Sequence, residues 1–184
     1  MIEAGRPVAP RGLDDTSVLV PPGYGTLTQA QFTLGLQSGD LQIQVTPLAE
    51  SVIRLAAPDT YERLAGMAAS AGAALQSWAR EGSPLFLVSM FSRAPTIVYE
   101  PENLHVVSGG LRYRPTAIDG VTPGWGGQRL RQQETQMAIY AFQPGIELGI
   151  ALTVEYEGVT NSGWERILNQ LERERARVRA RAGF

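Results

Sequence analysis

Cysteine is absent from this chain, and all sixteen of its basic side chains are arginine, with no lysine at all. The missing lysine excludes the lysine-bearing phosphate loop, Schiff-base catalysis and pyridoxal chemistry. The missing cysteine excludes thiol nucleophiles, thiolate zinc, iron–sulfur clusters and disulfides. One histidine, His105, leaves no multi-histidine metal site within a single chain. No catalytic residue, metal ligand or cofactor-binding residue is therefore assigned. No apolar run approaches the roughly 20 residues of a membrane span. Met1-Ile2-Glu3-Ala4 has neither the basic start nor the apolar stretch of a signal peptide. Absence of cysteine suits an envelope protein. The expected location is periplasmic or extracellular, as the mature form of an exported protein, with a cytoplasmic location as the alternative.

What is present is a chain of 184 residues with 43% hydrophobic and 18% charged side chains. That length suits one domain, which buries roughly 70% of its unfolded surface and needs no metal or disulfide staple. The formal net charge is −2, unevenly spread. Residues 162–184 hold six Arg and three Glu, so the tail is basic and the remainder acidic. Residues 1–25 are rich in Pro and Gly and read as an extended arm. Residues 26–184 read as a single domain.

The run Pro84–Glu100 is the most apolar in the chain and is cut at Ala94-Pro95. It predicts the central strand or pair of strands. Ala30, Phe32, Leu34 and Leu36, then Leu41, Ile43 and Val45, alternate with polar residues on both sides of Ser38-Gly39-Asp40, which predicts a hairpin. Its wet face is Gln- and Thr-rich and nearly uncharged, the composition of a pairing or ligand-binding face. Val52–Ala56 reads as a short strand. Tyr61, Leu64, Ala68, Ala71, Leu75 and Trp78 step by three and four, which predicts a helix over about 59–81 opened by an Asp59/Glu62 capping box. Leu104–Val107 and Leu111–Pro115 read as a second hairpin, Arg129–Thr135 as a polar linker, Met137–Phe142 as a strand buried on both faces, and Leu152–Tyr156 as the last strand. Ser162-x-x-Glu165 predicts the cap of a C-terminal helix over about 162–182, whose last two turns project into solvent or onto something outside this chain. These elements sum to a mainly β fold: an antiparallel β-sandwich in the immunoglobulin-like style with two added helices.

Candidate chemistry is sparse. His105 has no G-x-S-x-G partner motif. Glu100/Glu102 and Glu155/Glu157 have the i, i+2 spacing that places two carboxylates on one strand face. Trp125, in Gly124-Trp125-Gly126-Gly127, is a candidate stacking platform for a sugar or a partner. Arg173, Arg175, Arg177, Arg179 and Arg181 are the candidate interaction surface toward an acidic protein or an anionic surface. The acidic body disfavours nucleic acid. The expected function is non-catalytic: a protein mediating protein–protein binding or self-assembly as an oligomer, at a bacterial cell envelope. The alternatives are a carbohydrate- or small-ligand-binding module and, behind it, a carboxylate-dependent hydrolase.

Overall fold

In chain order the strands of the computed structural model are β1 (Leu34–Ser38), β2 (Leu41–Pro47), β3 (Leu85–Ser92), β4 (Thr96–Val98), β5 (Leu104–Ser108), β6 (Leu111–Tyr113), β7 (Pro115–Gly120), β8 (Arg129–Arg131), β9 (Thr135–Phe142), β10 (Leu152–Tyr156) and β11 (Val159–Asn161). The helices are α1 (Glu50–Ile53), α2 (Pro58–Leu75) and α3 (Trp164–Ala182). The structure describes residues 19–75 and 82–183, the side chains of 72–74 excepted. The proposed arm over 1–18 and the end of the expected first helix, 76–81, lie outside the described residues.

The fold is an antiparallel β-sandwich. One sheet has the order β1-β2-β3-β9-β7, the other β11-β10-β5-β6, and β4 pairs with β8 in a separate ribbon. β3 is the middle strand of the larger sheet because its residues are apolar on both sides. Phe86, Val88 and Met90 face inward with Ile43 and Val45 of β2 and Ala138, Tyr140 and Phe142 of β9. Across the interface lie Leu104 and Val106 of β5 and Leu152, Val154 and Tyr156 of β10, all buried. Phe86 meets Phe142 edge-on at 5.4 Å. On the opposite face of the larger sheet, Leu87, Ile139 and Ala141 are also buried, on the side where α2 lies over β7 and β9.

Both sides of the sandwich are closed. β6 and β7 are separated by Arg114 alone, so one strand bends from the smaller sheet into the larger. On the other side β1 and β11 approach, and Asn161 Nδ2 donates to Gly35 O at 2.7 Å. The expected hairpin is β1–β2, with Gly39 at φ +58° supplying the left-handed turn.

Five local expectations are corrected. Leu152–Tyr156 is not the last strand, because the chain turns back at Glu157-Gly158 into β11, which pairs with β10. Val52–Ala56 is no strand: Val52 and Ile53 are both buried in the single turn α1, and only Ala56 bridges, to Leu27. The Glu50–Arg54 ion pair at i, i+4 supports that turn. Arg129–Arg131 is the strand β8, and β7 was not foreseen, because neither alternates strongly. α2 begins at Pro58, which places Asp59 inside the first turn instead of at the cap. α3 begins at Trp164 without the Ser162/Glu165 box; Ser162 Oγ instead meets Thr153 Oγ1 at 2.9 Å, and Asn161 Oδ1 accepts from Gly163 N at 2.8 Å.

The described end of the arm is fastened to the body. Val20 is buried, and Leu27 N donates to Leu55 O while Ala57 N donates to Leu27 O. Gly25 runs so close to Leu55 that a Cβ there would sit 2.2 Å from that residue's carbonyl carbon and oxygen. Gly25→Ala must therefore push two backbones apart. The expected loss is about 2–3 kcal/mol, or a Tm lower by roughly 5–10 °C in a chain of this size. An unchanged thermal melt would show that this segment is not seated as described.

Candidate functional site

The interior is polar at one end, between the start of β9 and the 99–103 segment, and every polar group there is engaged. Tyr99 Oη donates to Gln136 Oε1 at 2.6 Å, and Gln136 Nε2 donates to Arg129 O and Glu134 Oε1. Tyr140 Oη donates to Pro101 O at 2.9 Å, and Glu100 N donates to Tyr156 Oη. Burial, with the nearby Glu134 charge and Tyr156, pushes the Tyr99 hydroxyl up to about 12. Burial also raises Tyr140 and Tyr156. These hydroxyls stay protonated at neutral pH and act as fixed donors and acceptors. The network ties β9 to the segment that closes the sandwich.

Trp125 packs onto this network. Its ring lies 5.5 Å from Tyr99 and 6.0 Å from Tyr140, and Gly120 leaves room for it: a Cβ at Gly120 would come within 2.9 Å of the Trp125 Cβ. The indole is half-buried, so its body belongs to the core edge. His105 sits half-buried on the outer face of the smaller sheet, opposite Glu155. Burial and the Arg112 and Arg114 charges lower its pKa against the pull of Glu155. Among the described residues it makes no side-chain hydrogen bond. The two carboxylate pairs are not arranged as expected. Glu155, on β10, pairs with Arg112 of β6, whereas Glu157 lies in the following turn and accepts from Asn103 Nδ2. Glu102 is in a 3-10 turn and Glu100 precedes it, so neither is on a strand.

The arginine tail also differs from expectation. α3 does not end in solvent; Leu171, Glu174 and Val178 are buried, and its second half packs on the 24–31 segment and α1. Glu174 is 1% exposed. Its Oε1 accepts from Thr26 N at 3.0 Å, Thr26 Oγ1 at 2.9 Å and Arg181 Nη1 at 2.9 Å, while Oε2 has only Arg177 Nη1 at 3.6 Å. Arg175 pairs with Glu172 and donates to Ser51 O, and Arg181 also donates to Tyr24 O at 2.7 Å. Arg173 and Arg179 are exposed and make no ion pair among the described residues. Three of the five tail arginines thus hold the fold together as well as facing water.

Two surface depressions border α3. One, of about 460 Å³, follows the seam between β1 and β11 and is lined by Gly35, Gln37, Thr160, Asn161, Glu165 and Arg166 among others. The second, of about 190 Å³, lies between α3 and residues 26–31, with Gln31, Gln170, Arg173 and Arg177 at its walls. A third feature is flat. Beyond the part covered by α2, the outer face of the larger sheet shows two rows set by strand register: Gln37, Gln42, Phe91 and Thr135, then Gly35, Gln44, Ser89 and Met137. All eight are exposed or half-buried and none is charged. Among the described residues no His, Asp or Glu cluster is placed to hold a metal, and no helix is long and apolar enough to cross a membrane.

No protein-family model matches the chain, and no curated protein or solved structure is similar enough to count as a match.

Glu174 is the buried charge on which the α3 docking turns. Burial alone would raise its carboxyl, but hydrogen bonds from Arg181 and Thr26, with the Arg181 charge, outweigh that and hold it below the usual carboxylate range. A carboxyl whose folded pKa is depressed stabilises the fold above its unfolded value, near 4.3, and that contribution fades as pH falls through the folded value. Glu174→Gln should cost about 1–3 kcal/mol at neutral pH, with the two melting curves converging as the pH drops below about 4. Equal stability at pH 7, or a gap that widens in acid, would contradict this arrangement.

Proposed function

We propose that this protein is a non-catalytic β-sandwich that binds another protein or assembles with itself, at a bacterial cell envelope. The uncharged open half of the larger sheet's outer face supports this reading most directly. Charged side chains are one of the devices by which sheet proteins discourage association, best attested on their edge strands. Here Gln37, Gln42, Gln44, Ser89 and Thr135 surround half-exposed Phe91 and Met137, with no charge in either row. Such a surface desolvates at low cost and can form side-chain amide hydrogen bonds with a partner. The engaged interior favours the same reading, since Tyr99 donates to Gln136 and Tyr140 to Pro101 O, so both hydroxyls are committed to the fold. Trp125 gives less support to a sugar platform, because Tyr99 and Tyr140 already take up part of its surface.

A charge placed in the centre of the flat face tests the idea. Gln44→Lys together with Ser89→Glu should leave the fold intact by circular dichroism. It should abolish self-association in size-exclusion chromatography and crosslinking, or weaken capture of the partner at least tenfold. A wild-type protein that stays monomeric and captures no partner would remove the reading.

A further inference from the structure

The arginines of α3 fall into a pattern that the alternation over 173–181 conceals. Arg166, Gln170, Arg173, Arg177 and Arg181 follow one another at four, three, four and four residues, so they share one face of the helix. The buried residues Trp164, Leu171, Glu174 and Val178 lie on another face, and the acids Glu165 and Glu172 fall on the flank opposite the arginines. All four arginines of the stripe are exposed, and among the described residues Arg166 and Arg173 make no ion pair. Glu174 neutralises one charge of the stripe through Arg181 and faces Arg177 only at 3.6 Å. Bordering the row are Thr26 and Gln31 across the smaller depression, and Thr160, Ser162 and Glu165 along the seam, so one carboxylate, free among the described residues, lies near its Arg166 end. The result is a straight basic ridge about 22 Å long at 1.5 Å per residue.

We propose that this ridge docks the protein against an anionic lipid surface. Charge complementarity is the first reason. The ridge concentrates positive charge on a chain whose remaining residues are net negative, which suits a flat anionic plane better than a nucleic acid, whose binders carry a basic field over the domain. The neighbour of the ridge is the second. Arg181 Nη1 donates to Tyr24 O, which seats Tyr24 beside this end of α3. Tyr24 itself is 45% exposed there, an amphipathic ring of the kind that settles at a lipid–water boundary. The inference rests on the envelope part of the proposed function and is independent of its protein-binding part.

Co-sedimentation of the whole chain with lipid vesicles tests it. The protein should pellet with phosphatidylcholine vesicles containing roughly one-third phosphatidylglycerol and remain free with pure phosphatidylcholine. Raising the salt from about 0.05 to 0.5 M should release it. Arg166→Gln, Arg173→Gln and Arg177→Gln combined should lower the partition on the order of 100-fold. A charge-matched control, Arg114→Gln, Arg129→Gln and Arg131→Gln, should lower it no more than about threefold. Binding that ignores phosphatidylglycerol, or equal losses in the two triple variants, overturns the proposal. So does stripe-dependent binding of duplex DNA tighter than that of the vesicles. The assay contains lipid and no partner protein, whereas the association assay contains no lipid, so the two readings fail separately.

Discussion

Two strands of this fold, β3 and β9, are enclosed on their inner face along their length and on both faces at one end, where Leu87, Ile139 and Ala141 are also buried. Strands buried that way must be apolar at nearly every position, and each needs a hydrogen-bonded neighbour on either side, because an unpaired backbone group away from water costs more than a hydrogen bond returns. The order β1-β2-β3-β9-β7 meets both demands. It also leaves the interior full. Phe86, Tyr140 and Phe142 pack against one another and the second sheet, and the buried tyrosine hydroxyls find partners in Gln136 and in backbone. What remains for interaction is the outside, and the outside is unevenly covered. α2 lies over one end of the larger sheet, and the other end presents Gln, Ser and Thr.

The second organising contact is between the chain's beginning and its end. The 20–27 segment is trapped between Leu55 and α3, and it makes the donors that hold the Glu174 carboxylate. A buried carboxylate is favourable only while its donors stay in place. The arginines near it therefore serve two purposes at once. Arg181 and Arg177 face Glu174 from one side and face water from the other, which keeps a row of positive charge at a defined angle on the surface. Order in the core of α3 is what makes its exposed face a ridge instead of a scatter.

How much of this could be read from residues alone depended on periodicity. The β1–β2 hairpin and the stripe of α2 as far as Leu75 show clean periods of two and 3.6, the run of β9 is apolar at nearly every position, and all three fold as their patterns say. β7 and β8 were missed because their contrast is weak: Pro-Thr-Ala-Ile-Asp-Gly and Arg-Leu-Arg hold one or two apolar residues each, and only pairing with β9 and β4 makes them strands. Val52 and Ile53 look like a strand because both are β-branched, yet adjacent burial suits a turn of helix. The C-terminal helix was legible in extent and misleading in its environment. Glu174 within an Arg-rich run looks like a solvated ion pair, and nothing local announces that Thr26, 148 residues away, reaches it. The flat uncharged face was visible as composition, but its boundary was not, since that boundary is set by where α2 lies.

The claim beneath all of this is that β3 and β9 form the last part of the structure to open. Native-state hydrogen exchange measures it residue by residue. The account predicts that the amides of Val88, Met90, Ala138 and Tyr140 exchange only through global unfolding and share one free energy, while those of Ile97 and Leu130 in the β4–β8 ribbon exchange through smaller openings. Exchange at Val88 and Met90 as fast as at Ile97 and Leu130 would contradict it.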